Sequence, residues 1–152
     1  MDFRATLLAA LAIASLVAAA PGDNAVIVNS GSTNAYGYKI TVASDGKATV
    51  MLQSHGGTAA STPKPFAVPA ATASKFFADL AAARKGNVAT VPCMKSASFG
   101  SSMHVSWQGW TSPDLTCPAK DSLGDALISD VEAIRKASGI SESPALHNPS
   151  GP

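Results

Sequence analysis

The residues able to do chemistry crowd into one stretch, CMKSASFGSSMHVSWQGWTSPDLTCP, residues 93 to 118. It holds both cysteines, Cys93 and Cys117, both tryptophans, Trp107 and Trp110, and His104, Lys95 and Asp114. Three chemistries could use these types. A thiolate nucleophile needs a lowered pKa and a base within hydrogen-bond reach. Here only Lys95 could depress either cysteine, and His104 sits on a strand face with no link to them. A zinc site needs close ligand pairs such as C-x₂₋₄-C or H-x₃₋₅-H. His55, His104, His147 and the two cysteines are instead isolated from one another, so neither a metal nor another cofactor is expected. The third chemistry is a disulfide, the ordinary state of an even cysteine count in an oxidising compartment. A hairpin between Cys93 and Cys117 would bring the two ends together.

Other catalytic patterns fail on context. Ser44-Asp45-Gly46-Lys47 and Ser61-Thr62-Pro63-Lys64 both match S-x-x-K, a motif that must open a helix to place its lysine over the serine. The first is a hairpin turn and the second lies in a proline-rich connector. His55-Gly56-Gly57 is a fragment of an oxyanion-hole pattern with no nucleophile to serve. Asp114 and the aspartates after it could do acid–base work on a glycoside, but capping and solvation account for them. Trp107 shares a strand face with Val105 and Met103 and reads as core. Trp110 either anchors a partner or folds back over the disulfide.

These residues must be positioned by the rest of the chain. MDFRATLLAALAIASLVAAA, residues 1 to 20, has the charged start, apolar run and small-residue end of a secretory signal peptide, cut after Ala19 or Ala20. Residues 21 to 140 are expected to form one domain, and 141 to 152 a disordered tail. AVIVN (25 to 29) is a β-branched strand. YKITVASDGKATVMLQ alternates as a hairpin. A two-residue Asp45-Gly46 loop would send its two apolar rows to opposite faces. A three-residue loop, Ser44-Asp45-Gly46, pairs Val42 with Ala48, Ile40 with Val50 and Tyr38 with Leu52, all on one face. It also puts Gly46 where a left-handed residue is needed.

An extended piece is expected at Phe66 to Val68, and a weak strand at 87 to 92. ATASKFFADLAAARKGN (71 to 87) is a helix with its stripe on Phe76, Leu80 and Ala83, widened by Phe77 and stopped by Gly86. MHVSW (103 to 107) alternates, and Gln108-Gly109 turns it into a short return at Trp110. DSLGDALISDVEAIRKA (121 to 137) is a second helix with its stripe on Leu123, Leu127, Val131 and Ile134. The expected class is α+β in two layers. A small antiparallel sheet of about four to five strands, in the order β-ββ-α-ββ-α, carries two helices on one face.

The net charge is +1, with no basic run and no interleaving of cations with aromatics. Nucleic acid is therefore not an expected partner, nor is a polybasic hold on membranes. After leader removal no stable membrane anchor is expected. C-x-K-S-x-S-F-G at Cys93 to Gly100, with S-P-D-L-x-C at Ser112 to Cys117, resembles a segment of exported bacterial proteins that have no assigned role. The likeness extends loosely to SGSTNAYGYKI and the last helix, and implies export alone.

The expected protein is a secreted or periplasmic monomer, a non-enzymatic binding or inhibitor-like module for a protein or glycan. Its site is expected around the 99 to 114 hairpin, with Trp110 as anchor and Lys95, His104 and Asp114 as polar partners. A hydrolase of cell-wall or glycan material using His104 and an aspartate, and a structural envelope protein, are the alternatives.

Overall fold

The computed structural model describes residues 23–140 apart from positions 55, 97 and 99. The expected leader and tail lie outside the described residues, as do His55 and His147. Among the described residues, no helix is long and apolar enough to cross a membrane.

Strands β1 (Ala25–Asn29), β2 (Gly37–Val42), β3 (Lys47–Gln53) and β4 (Lys64–Ala67) precede helix α1 (Ala70–Gly86). Strands β5 (Met103–Trp107) and β6 (Trp110–Thr111) precede helix α2 (Ser122–Ala137). The strands form one sheet in the order β4-β3-β2-β1-β5-β6, and every neighbouring pair is antiparallel. This is the expected α+β architecture, with six strands instead of four or five. The extra strand, β4, comes from the proline-rich connector. Pro65 has no N–H to give a ladder, so an edge is where such a strand belongs, and β4 is an edge strand.

The β2–β3 hairpin has the register that alternation demands. Val42 faces Ala48, Ile40 faces Val50 and Tyr38 faces Leu52. Gly46 takes φ +84°, and its N–H donates to the Ala43 carbonyl at 2.9 Å. In the centre, β1 is flanked by β2 and β5, with Ile27 opposite both Ile40 and Val105. Ala25, Ile27, Tyr38, Ile40, Val42, Met103 and Val105 are buried on the helix side of the sheet. Successive residues of a strand face opposite sides, so Val26, Thr41, Thr49 and His104 lie on the other face. Ala73, Phe76, Leu80 and Ala83 of α1 meet that core, together with Leu127, Val131 and Ile134 of α2.

The helix ends differ in how closely they follow expectation. Asp121 caps α2, accepting from the Gly124 N–H at 2.8 Å, and Gly139 beyond its end takes φ +76°. For α1 the left-handed stop is Asn87, at φ +53°, and not Gly86. Asparagine is one of the few side-chain-bearing residues that tolerates this region. Gly86 stays helical, where an added Cβ would lie 3.4 Å from Leu123 Cδ2.

The two helices share an ionic contact. Lys75 Nζ donates to Asp79 Oδ2 and to Asp130 Oδ1, both at 2.7 Å. Asp130 is buried, and its Oδ2 has no partner among the described residues. Burial raises the Asp130 pKa more than the Lys75 ammonium lowers it, and the nearby Asp79 adds to the rise. Burial also opposes ionisation of Asp79, but the Lys75 ammonium bonded to it, together with the neighbouring Asp130 carboxyl, carries it below its ordinary value. The signs are opposite. A raised carboxyl contributes stability at low pH that is lost as pH rises through its folded pKa. A depressed one contributes stability at higher pH that is lost as pH falls. Asp130→Asn keeps an oxygen for Lys75 and removes the buried charge. In urea titrations it should be at least as stable as wild type at pH 8, and its advantage should shrink toward pH 4. A variant clearly weaker than wild type at pH 8 would show that the ionised form is the stabilising one.

Candidate functional site

Cys93 and Cys117 form the expected disulfide, with Cα atoms 5.5 Å apart. The flanking chains run together beyond it. The Val91 N–H donates to Pro118 O at 2.8 Å and the Lys120 N–H to Ala89 O at 3.0 Å. This single Thr90–Ala119 bridge stands where a strand over 87–92 was expected. Its length is limited by Pro92 and Pro118, which have no N–H to extend the ladder.

A second brace lies on the other side of Cys93. Lys95 Nζ donates to Asp114 Oδ2, to Thr116 Oγ1 and, at 2.6 Å, to Ser101 O. Asp114 Oδ1 accepts from the Met103 N–H and the Thr116 N–H, each at 3.0 Å, and from Thr116 Oγ1 at 2.7 Å. Burial alone would raise the Asp114 pKa. The Lys95 ammonium and the Met103 and Thr116 donors outweigh it and hold the carboxyl down at about 2, against 3.8 ordinarily. A depressed carboxyl contributes stability above its unfolded pKa that is lost as pH falls through the folded one. The brace should therefore hold at pH 4 and fail progressively toward pH 2. Carboxyl-carbon NMR should place the Asp114 midpoint near 2, and a midpoint at 3.8 or above would remove its role as a brace.

Between these two anchors stands Met94, with 103% relative exposure. Val91 is also exposed, at 45%. Residues 91 to 96 contain no helical turn, and none of them has positive φ. Among the described residues, no backbone hydrogen bond uses the N–H or C=O of Cys93, Met94 or Lys95. Residues 93 to 95 thus offer one long apolar side chain and unpaired main chain, with paired residues on both sides at Val91 and Ser96.

Beside this loop a polar cleft of about 250 Å³ opens at the end of the helix–sheet sandwich. Strand ends supply Asn29, Tyr38 and Met103, the loop supplies Ser101 and Thr116, and α2 supplies Glu132 and Arg135. Sheet register brings the first three together, since Asn29 lies opposite both Tyr38 and Met103. Tyr38 Oη donates to Met103 Sδ at 3.4 Å. Burial, and then the Glu132 charge, push its pKa up to about 12 against the pull of Arg135, so the phenol stays a neutral donor. Arg135 is held by Glu132 Oε2, at 2.9 Å from Nε and 2.6 Å from Nη2, and by the Ile140 carbonyl at 3.0 Å.

The β1–β2 connector is stitched to the same loop. The Ser30 N–H donates to Ser102 O, and the Ser102 N–H to Ser30 Oγ, both at 2.9 Å. Asn34 Nδ2 reaches Ser98 O at 3.3 Å. Glycine is required where this connector folds on itself, because a Cβ on Gly37 would sit 2.2 Å from Asn29 O.

Of the four residues expected to form a site, the structure joins Lys95 and Asp114 and separates the others. His104 lies on the open face of the sheet, its Nδ1 3.0 Å from Ser112 O. Trp110 is half-buried opposite Trp107 and packs against the core. The alternation of β5 already implied the separation of His104 from Trp107. Sequence reasoning missed Met94, Asn29, Tyr38, Glu132 and Arg135. For Met94 a signal was present: a large apolar residue directly after a disulfide cysteine, followed by the polar run Lys95-Ser96. Among the described residues, no group of three or more His, Cys, Asp or Glu converges to hold a metal.

No protein family, curated protein or solved structure matches this chain. Three parts of the chain that are far apart in sequence meet at this one end of the fold. The 93–117 loop forms it, the 30–40 connector is bonded to it, and α2 closes the cleft beside it.

Proposed function

We propose that this protein is an exported, non-enzymatic binding module of the inhibitor-like kind, and that it meets a protein partner through the Val91–Ser96 loop. The observation that carries this reading is the double bracing of Met94. A disulfide fixes the residue before it and a three-bonded ammonium fixes the residue after it. Ordering a flexible segment on binding costs roughly 0.5–1.5 kcal/mol per immobilised side chain, and a loop held beforehand avoids much of that cost. The cleft beside the loop supports the same role, since Asn29 Nδ2 donates to Ser101 Oγ at 3.3 Å and Tyr38 Oη to Met103 Sδ at 3.4 Å, next to the Lys95 brace. A disulfide is compatible with an oxidising location, and the leader-like residues 1 to 20 are the reason for placing it outside the cytoplasm.

Affinity capture with the oxidised protein, from an extract of its own envelope, tests the surface. Met94→Ala should lose the captured protein, whereas Trp110→Ala and His104→Ala, if folded, should retain it. Capture that survives Met94→Ala and fails with Trp110→Ala would move the site to the 107–110 hairpin. Turnover of glycan that His104→Ala abolishes would replace this reading with the hydrolase.

A further inference from the structure

Resting on the reading of the 91–96 loop as the contact surface, we infer that its partner is an extracellular endopeptidase with an apolar specificity pocket, and that Met94 enters that pocket. A peptidase cleft binds substrate as extended chain, pairing with its main-chain groups and selecting one side chain by pocket shape. The loop supplies both requirements: unpaired N–H and C=O groups at Cys93, Met94 and Lys95, and a fully exposed, unbranched Met94.

What makes such a segment an inhibitor is the fate of the cut bond. The enzyme's nucleophilic oxygen or sulfur would bond to the Met94 carbonyl carbon as the Met94–Lys95 amide breaks. The proton taken from the nucleophile passes through the general base to the new Lys95 amine. In an ordinary substrate that amine diffuses away and water completes hydrolysis. Here the acyl side stays tied through Cys93–Cys117. The amine side stays tied through Lys95 Nζ to Ser101, Asp114 and Thr116. The amine remains beside the acyl carbon, attacks it and expels the nucleophile, so the amide re-forms and the complex persists.

The test titrates the oxidised full chain against chymotrypsin, subtilisin and trypsin. Wild type should inhibit chymotrypsin or subtilisin and spare trypsin. Met94→Ala should weaken that inhibition about a hundredfold, the scale of a central contact. Met94→Lys, a change at a fully exposed position that leaves the fold untouched, should transfer inhibition to trypsin. Asp114→Ala, which removes the charged partner of the second brace, should raise the rate at which the chain is cut between Met94 and Lys95. Failure of wild type against both apolar-specific enzymes, together with failure of Met94→Lys against trypsin, would overturn the peptidase assignment. If envelope capture still depends on Met94 in that case, the contact surface stands with a different partner. If capture is indifferent to Met94, the surface itself is wrong.

Discussion

Replacing Cys93 and Cys117 together by serine should lower the unfolding free energy by about 3.5 kcal/mol, the chain-entropy estimate for a loop of this length. The bond spans a sequence separation of 24, so its loss frees a long segment of the unfolded chain. The effect should exceed that of removing the neighbouring backbone bridge. The bridge's hydrogen bonds between 89–91 and 118–120 exist only in the folded protein, and each contributes only about 1 kcal/mol net. The variant should still fold, because most of the core, including Ile27, Ile40, Phe76 and Leu127, lies outside the closed loop, and β5, with Met103 and Val105, stays paired to β1. Its loop should nevertheless loosen first, with faster exchange of the bonded Val91 and Lys120 amides than in wild type. Guanidinium titration of the double variant beside wild type measures the first effect, and a loss below about 1 kcal/mol would show that the non-covalent contacts suffice.

Phe76→Ala should cost about 4 kcal/mol, the usual range for emptying a fully buried aromatic site. Phe76 has no exposed surface and meets the ring of Phe77 edge-on, with centroids 5.4 Å apart. It joins α1 to the sheet core, so the cavity would be lined from both layers and could not close by moving one side chain. Phe77 is only half-buried and stacks edge-on against Trp107 at 5.9 Å. Its alanine variant should cost about half as much, because neighbouring surface and water can fill part of the gap. Equal losses at the two positions would mean that the helix is seated differently on the sheet.

Local signals carried the parts of the fold that are local. Alternation plus loop length set the β2–β3 register, because a one-residue slip would turn every apolar side chain outward. The return at Trp110 follows from Gln108 and Gly109, which take φ +47° and +77°, the pattern a two-residue hairpin requires. Central placement of β1 between β2 and β5 had no local signature, since its pairing with β5 joins residues some 75 apart. The β4 strand was obscured by Pro63 and Pro65, which argue against strands except at edges.

The site was harder to read for the same reason. Lys95 and Asp114 were recognisable as polar members of one loop. Asn29, Tyr38 and Met103 become neighbours only through register across three strands. Arg135 reads in the sequence as a cation suited to the helix end. Only the fold shows it clamped between Glu132 and the chain beyond α2. Trp110 attracted attention as an aromatic on a hairpin, yet the two-residue turn obliges it to share the face of Trp107. Met94 had no periodicity to assign it, because it belongs to no strand or helix.

The central claim is that the Met94 loop is held in its binding conformation before any partner arrives, and the backbone order parameter of the Met94 amide tests it most directly. In the oxidised, partner-free protein the expected value is about 0.85, that of rigid backbone, matching Ile27 in the central strand. It should fall on reduction of the disulfide and fall further in Asp114→Ala. A value below about 0.6 in the oxidised wild type would mean that neither brace holds the loop, and would contradict the account.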